Sequence, residues 1–346
     1  MSVLHKIVVH GSRYPKLIRD LTLATALAMA SQAQAATIEV AIKQTVLSDG
    51  AFRYSIPVSI GNETVDAMLD TGSTGLRLLP GAVTVSNFTS TDRPNQYGYG
   101  SGVKLTGTIA NAVLKIGGVP TSESIPIQII QTIGCYENVP KCPASRVSPQ
   151  DYGLGGDGLA KQGFPAIIGV RMPAPGQVRQ AVVNPLMFIG SRSWVIVLPL
   201  PGRGAQGKLI LNPDQTDLAG YTYFSIPKDD ADDAIPGCLR NDDTRRTFCG
   251  PVTLDSGTPH ISINTSLVIA PFPWPDGTHG TFTFRGSDSA ELHAQFAVAP
   301  GRPSHVTLMP LQSQQSNSIL AGVLPYFFFS VHYDYGNGAI GLKPRK

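Results

Sequence analysis

Apolar residues along this chain fall into short segments punctuated by turns, and 36 glycines and 28 prolines supply the punctuation. That pattern predicts strands, and an all-β protein in preference to a helical or βαβ one. Tyr54 to Ile60, the turn Gly61-Asn62, and Glu63 to Leu69 predict a hairpin. Gln96 to Gly102 is Gly-rich, flanked by strand-like residues and followed by Val103 to Ile116. It predicts a second hairpin with a mobile tip. Trp194 to Leu200 predicts a further strand ending at Pro201-Gly202-Arg203-Gly204, the best place for a boundary between two halves. Lys208 to Asn212 opens the second half.

Two of the apolar runs end alike. Val65 to Leu69 leads into Asp70-Thr71-Gly72-Ser73, and Val252 to Leu254 leads into Asp255-Ser256-Gly257-Thr258. An Asp-[Thr/Ser]-Gly turn at a strand end holds a carboxylate on rigid backbone, because Gly lets the chain fold tightly beneath it. One such turn is an ordinary loop; two in matching contexts predict half-sites built to meet. Each half also carries a later apolar-apolar-Gly string, Ile167-Ile168-Gly169 and Leu320-Ala321-Gly322. Such a string suits a buried strand passing close behind the Asp turn.

Composition narrows the setting. Lys6, Arg13, Lys16 and Arg19, the apolar run Leu21 to Ala30, and Ala33-Gln34-Ala35 together predict a secretory leader, residues 1–35, cut after Ala35. Its apolar run is too short to span a bilayer, and no later stretch is long enough, so a secreted or periplasmic protein without a membrane span is expected. The remaining 311 residues exceed one ordinary core, which predicts two lobes, 36–204 and 205–346. The leader holds all of the formal excess of basic charge, leaving 23 basic and 23 acidic residues. No basic stripe interleaved with aromatics points to nucleic acid, and the run Lys228 to Asp233 reads as a solvated loop. Cys135, Cys142, Cys238 and Cys249 allow three pairings, of which 135–142 with 238–249 is the simplest. Neither spacing is that of a zinc or redox motif, and the seven histidines are scattered. No metal and no cofactor are expected.

Two carboxylates brought within about 3 Å repel by roughly 5 kcal/mol at an effective dielectric near 20, about four pK units between successive protonations. The pair then holds one proton over a broad acidic range. Such a pair activates water with its ionised member and polarises a carbonyl with its protonated one. Ser73 and Thr258 are expected to bond the outer carboxylate oxygens, and Thr71 and Ser256 to brace the turns against each other.

With both Asp turns, the chain resembles the pepsin-like aspartic proteases over nearly all of residues 36–346. Phe52 to Leu78 resembles that family's N-terminal hairpin and first active-site turn. Tyr97-Gly98-Tyr99-Gly100-Ser101-Gly102 resembles its flap, with Tyr97 as the flap tyrosine. Gly207 to Leu211, Tyr221 to Pro227, and Leu320 through Tyr333-Asp334 to Leu342 follow its C-terminal lobe. The resemblance implies two β-barrel lobes of six-stranded type with a cleft between them, Asp70 and Asp255 as catalytic residues, and a monomeric endopeptidase taking an extended peptide. It also marks departures. The family usually has a Trp seven residues after the first Asp, bonding the flap tyrosine; this chain has Arg77. Arg77 reads either as a solvated charge or as a cation acting on the pair or on acidic substrate side chains. Val323 stands where the family often has Asp, and Pro259-His260 follows the second turn, with His260 read as structural.

The rival reading is a protein of the same fold that has lost catalysis and binds a peptide or partner in its cleft. A two-carboxylate glycosidase would give its acid and base unlike surroundings, which two matching turns do not. Gly153-Leu154-Gly155-Gly156-Asp157-Gly158 spells a dinucleotide fingerprint, but Ser148-Pro149-Gln150 precedes it in place of a strand, so it reads as a loop.

Overall fold

The computed structural model describes residues 36–173, 181–202, 206–227, 233–286, 290–301, 303–312 and 316–345. The expected leader, Arg203-Gly204 of the expected boundary and Lys228 to Asp232 of the charge run lie outside them. Strand makes up 51% and helix 6%, so the protein is all-β. The strands form one sheet of fifteen and one of eight among the described residues.

The first sheet begins with β1 (Ile38–Val46), whose first part pairs with the strand Gly207–Leu211 and whose second part pairs with β2 (Phe52–Ile60). β2 and β3 (Glu63–Asp70) form an antiparallel hairpin in which Ile60 faces Glu63 across Gly61-Asn62. Gly61 has φ 59°, a left-handed value that side-chain-bearing residues seldom adopt. Ile56, Val58 and Ile60 are fully buried, each contributing about 1.5–3 kcal/mol. β3 delivers Asp70 at its end, then the chain returns as β4 (Thr74–Leu78). The strand Ala166–Val170 lies between them, parallel to β3 and antiparallel to β4, with Gly169 beside Asp70. A Cβ on Gly169 would stand 2.5 Å from backbone atoms of Ser73 and Thr74, so only glycine lets the turn sit this close.

The second sheet repeats the device. The strand Thr247–Leu254 ends just before Asp255 and pairs in parallel with Ser318–Gly322. Gly322, at φ 60°, would put a Cβ 2.4 Å from the His260 carbonyl.

A long hairpin, β5 (Thr89–Gly98) and β6 (Val103–Ala112), carries Tyr97 near its tip. The tip is closed by Tyr99 N–H donating to Val103 O and Gly102 N–H to Tyr99 O, at 3.0 and 2.9 Å. On its other side β6 pairs with Ile125–Cys135, and a disulfide joins Cys135 to Cys142. A second disulfide joins Cys238 to Cys249, which face each other on adjacent strands of the second sheet. Met68, Leu105, Ile130, Leu154, Phe164 and Ile167 form a small apolar cluster beneath the hairpin, separate from the main core.

Two charged residues sit differently from their sequence reading. Asp233, the last residue of the charge run, is 5% exposed, and its carboxylate accepts the Met172 N–H at 3.1 Å. Arg77 is not solvated; it is 1% exposed within the first sheet. No helix among the described residues is long and apolar enough to cross a membrane.

Candidate active site

The two Asp turns meet through four reciprocal hydrogen bonds. Thr71 Oγ1 donates to Leu254 O at 2.8 Å and accepts the Ser256 N–H at 2.9 Å. Ser256 Oγ donates to Leu69 O at 2.8 Å and accepts the Thr71 N–H at 3.1 Å. Each hydroxyl thus satisfies the carbonyl just before the opposite aspartate and the amide just after it. All four groups are buried, so leaving one unpaired costs about 1–3 kcal/mol. Tyr326, from the short helix Pro325–Phe328, adds its phenol to the same knot, 2.9 Å from Thr71 Oγ1 and donating to Leu254 O at 3.2 Å.

Within each turn the carboxylate is held in the same way. Asp70 Oδ1 accepts Gly72 N–H at 2.8 Å and Oδ2 accepts Ser73 Oγ at 2.5 Å. Asp255 Oδ1 accepts Gly257 N–H at 2.7 Å and Oδ2 accepts Thr258 Oγ1 at 2.7 Å. The glycines also cover the opposite acid. A Cβ on Gly72 would fall 2.4 Å from Asp255 Cγ, and one on Gly257 would fall 2.5 Å from Asp70 Oδ1. Each carboxyl therefore packs against the glycine of the opposite turn, close enough for the charge of Asp255 to act on Asp70. Burial and the neighbouring Asp255 charge push Asp70 up to about 7, with the Ser73 and Gly72 bonds opposing the rise. A carboxyl pair so placed carries a shared proton at acidic pH.

Both acids open into a cleft of 700 Å³, lined also by Tyr97 to Ser101 of the hairpin tip, Thr258, His260 and the loop Leu154 to Asp157. The glycine-rich string at 153–158 is thus a loop on the cleft wall. His260 stands at the cleft, its ring 6.3 Å from that of His305; burial and then His305 lower its pKa. Val323 is fully buried and donates its N–H to Thr258 O at 3.0 Å, so it supports the second turn through backbone alone.

Tyr97 lies between two partners. The Arg77 guanidinium sits 3.5 Å from its ring centroid, and the Tyr99 ring meets it edge-on at 5.0 Å. Burial pushes the Tyr97 phenol up, while Arg77 pulls it down, as does a hydrogen bond with Ser73. Gly98 and Gly100 complete the tip; Gly98 runs so close beneath Tyr136 that a Cβ would strike the phenol oxygen at 2.0 Å.

Two cleft arginines carry no sequence signal of their own. Arg53 on β2 donates to Gly155 O at 2.8 Å and Phe52 O at 3.2 Å. Burial lowers its pKa, opposed by Asp49, Asp255 and Asp70. Arg171, just beyond Ala166–Val170, donates from its guanidinium to Gly72 O and from its N–H to Ser73 O, the latter at 2.9 Å. Their partners Gly155 and Gly72 lie 102 and 99 residues away along the chain, so no local pattern marks them. Among the described residues no three His, Cys, Asp or Glu side chains are grouped to hold a metal. No protein-family model and no curated protein matches the chain.

Proposed function

We propose that this chain is a pepsin-like aspartic endopeptidase, with lobes 36–204 and 205–346 on either side of the cleft. The observation that carries the reading is the pair of carboxyls, Asp70 buried and Asp255 half-buried, each bonded by its own turn and packed against the other turn's glycine. The ionised member takes a proton from water, which attacks the peptide carbonyl; the protonated member donates to the carbonyl oxygen. The tetrahedral adduct then collapses with a proton passing to the leaving nitrogen, and no covalent enzyme intermediate is needed. An extended peptide of about four to eight residues, adding strand-like backbone bonds to the cleft edges, fits beneath the Tyr97 hairpin, which acts as a flap.

The two disulfides suit an oxidising compartment, consistent with export on a leader removed after Ala35. Digestion of a peptide library between pH 3 and 7 by the wild type and by Asp70→Asn tests the reading. Cleavage lost in the variant supports it. Peptides retained tightly but uncut by the wild type would instead make the cleft a binding site.

A further inference from the structure

We propose that Arg77 is the positioning residue of the hairpin that carries Tyr97: its buried charge holds the tyrosine ring down over the candidate active site. The inference rests on the protease reading for its kinetic part and on geometry alone for the rest. Arg77 lies in the middle of the first sheet, beside Ile167 on one strand and Gln128 on the other. It is 1% exposed, yet among the described residues no carboxylate lies within ion-pair distance of it. Its protein hydrogen bonding is thin: one nitrogen reaches Gly75 O at 3.4 Å, and Nε has no partner. A guanidinium taken out of water needs compensation, and the face of Tyr97, 3.5 Å from the guanidinium carbon, is the principal group placed to supply it. Cation–π attraction of this kind strengthens as the pair is desolvated.

The same contact explains why the latch releases. Arg77 does not line the cleft, whereas Tyr97 does, so the ring covers the cation. Raising the hairpin uncovers the guanidinium to cleft water, and hydration replaces what the ring provided. An apolar residue under Tyr97 would gain nothing on opening. Arginine thus makes both the closed and the raised hairpin accessible. The cation therefore acts on substrate through Tyr97 and does not meet a substrate side chain.

The decisive experiment is a double-mutant cycle on full-length, processed protein. Arg77→Met should lower kcat/KM for a cleaved peptide by roughly tenfold, and Arg77→Lys by less. Tyr97→Phe should preserve the Arg77→Met effect because the ring remains. In Tyr97→Leu, Arg77→Met should change nothing further. Thermal unfolding is followed alongside: since Met removes a buried charge, stability should hold or rise while activity falls. An equal Arg77→Met loss with and without the Tyr97 ring would overturn the proposal. Hydrogen exchange at Tyr99 and Gly102 supplies a readout independent of turnover and should quicken in Arg77→Met. Unchanged protection there would also overturn it. If the wild type cleaves no peptide, the protease reading fails, and exchange still decides the Arg77 question.

Discussion

Asp70 is 4% exposed, and its surroundings pull in opposite directions. Burial and Asp255 favour its protonated form, whereas Ser73 and Gly72 donate to its ionised form. Its folded pKa, about 7, lies above the ordinary 3.8. A raised carboxyl adds stability that is fully present below the unfolded value and is lost as pH rises through the folded one. Urea midpoints of the wild type should therefore fall between about pH 4 and pH 7, and Asp70→Asn, which cannot ionise, should lack that decline. Activity should follow the same limb, falling as the pair loses its last proton. Asp70→Asn and Asp255→Asn should each lower kcat/KM on the order of a thousandfold or more, measured on one peptide at the wild-type optimum. The aspartates were legible because their chemistry is local: a carboxylate, a hydroxyl and a glycine within three residues. Arg77 was not, because a cation reads as solvated unless the ring covering it, twenty residues later, is known. Asp233 failed for the same reason, its amide partner Met172 being 61 residues away.

At the scale of elements, the two turns depend on each other more than on their own strands. Thr71→Val removes one donor and one acceptor from the four-bond knot and leaves Leu254 O with the phenols of Tyr326 and Tyr333. It should cost about 1–3 kcal/mol, and Ser256→Ala a similar amount, with the double variant costing less than the sum because both hydroxyls brace the same two turns and the first loss already loosens what the second held. Denaturant titration of the three variants reads this directly. Gly72→Ala and Gly257→Ala should abolish hydrolysis while the sheets persist by circular dichroism, since each added methyl would strike the opposite carboxyl. The first hairpin and both glycine strings were legible from spacing. The run Val103 to Ile116 was not legible as two strands. It changes partner at Val113, from Ile125–Cys135 on one side of the break to β2 on the other, and a continuous β-forming sequence carries no mark of that switch.

For the whole molecule, the disulfides act near the places they close. Cys135–Cys142 lies beside the hairpin tip, where Val103 pairs with Cys135, and Cys238–Cys249 ties two strands of the second sheet. Each closes a short loop, so replacing either pair by serines should cost about 2–3 kcal/mol, read from urea midpoints. The 135–142 variant should also lose activity more steeply than stability, through the loosened tip. Tyr326 marks the limit of what the chain discloses at this scale. Its phenol joins residues 255 and 72 positions away, and an aromatic in an apolar helix turn reads only as core.

β1 has a further consequence, for the order in which the chain matures. Ile38 pairs with Leu211, so the first of the described strands waits for a partner made about 170 residues later. At about 5–20 residues per second that interval is of the order of 10–35 s, during which its outer edge offers unmet backbone donors to any neighbouring nascent chain. Polypeptides halted before Gly207 should accumulate as aggregates instead of as half-molecules, and the length of that wait sets how long a chaperone must hold them.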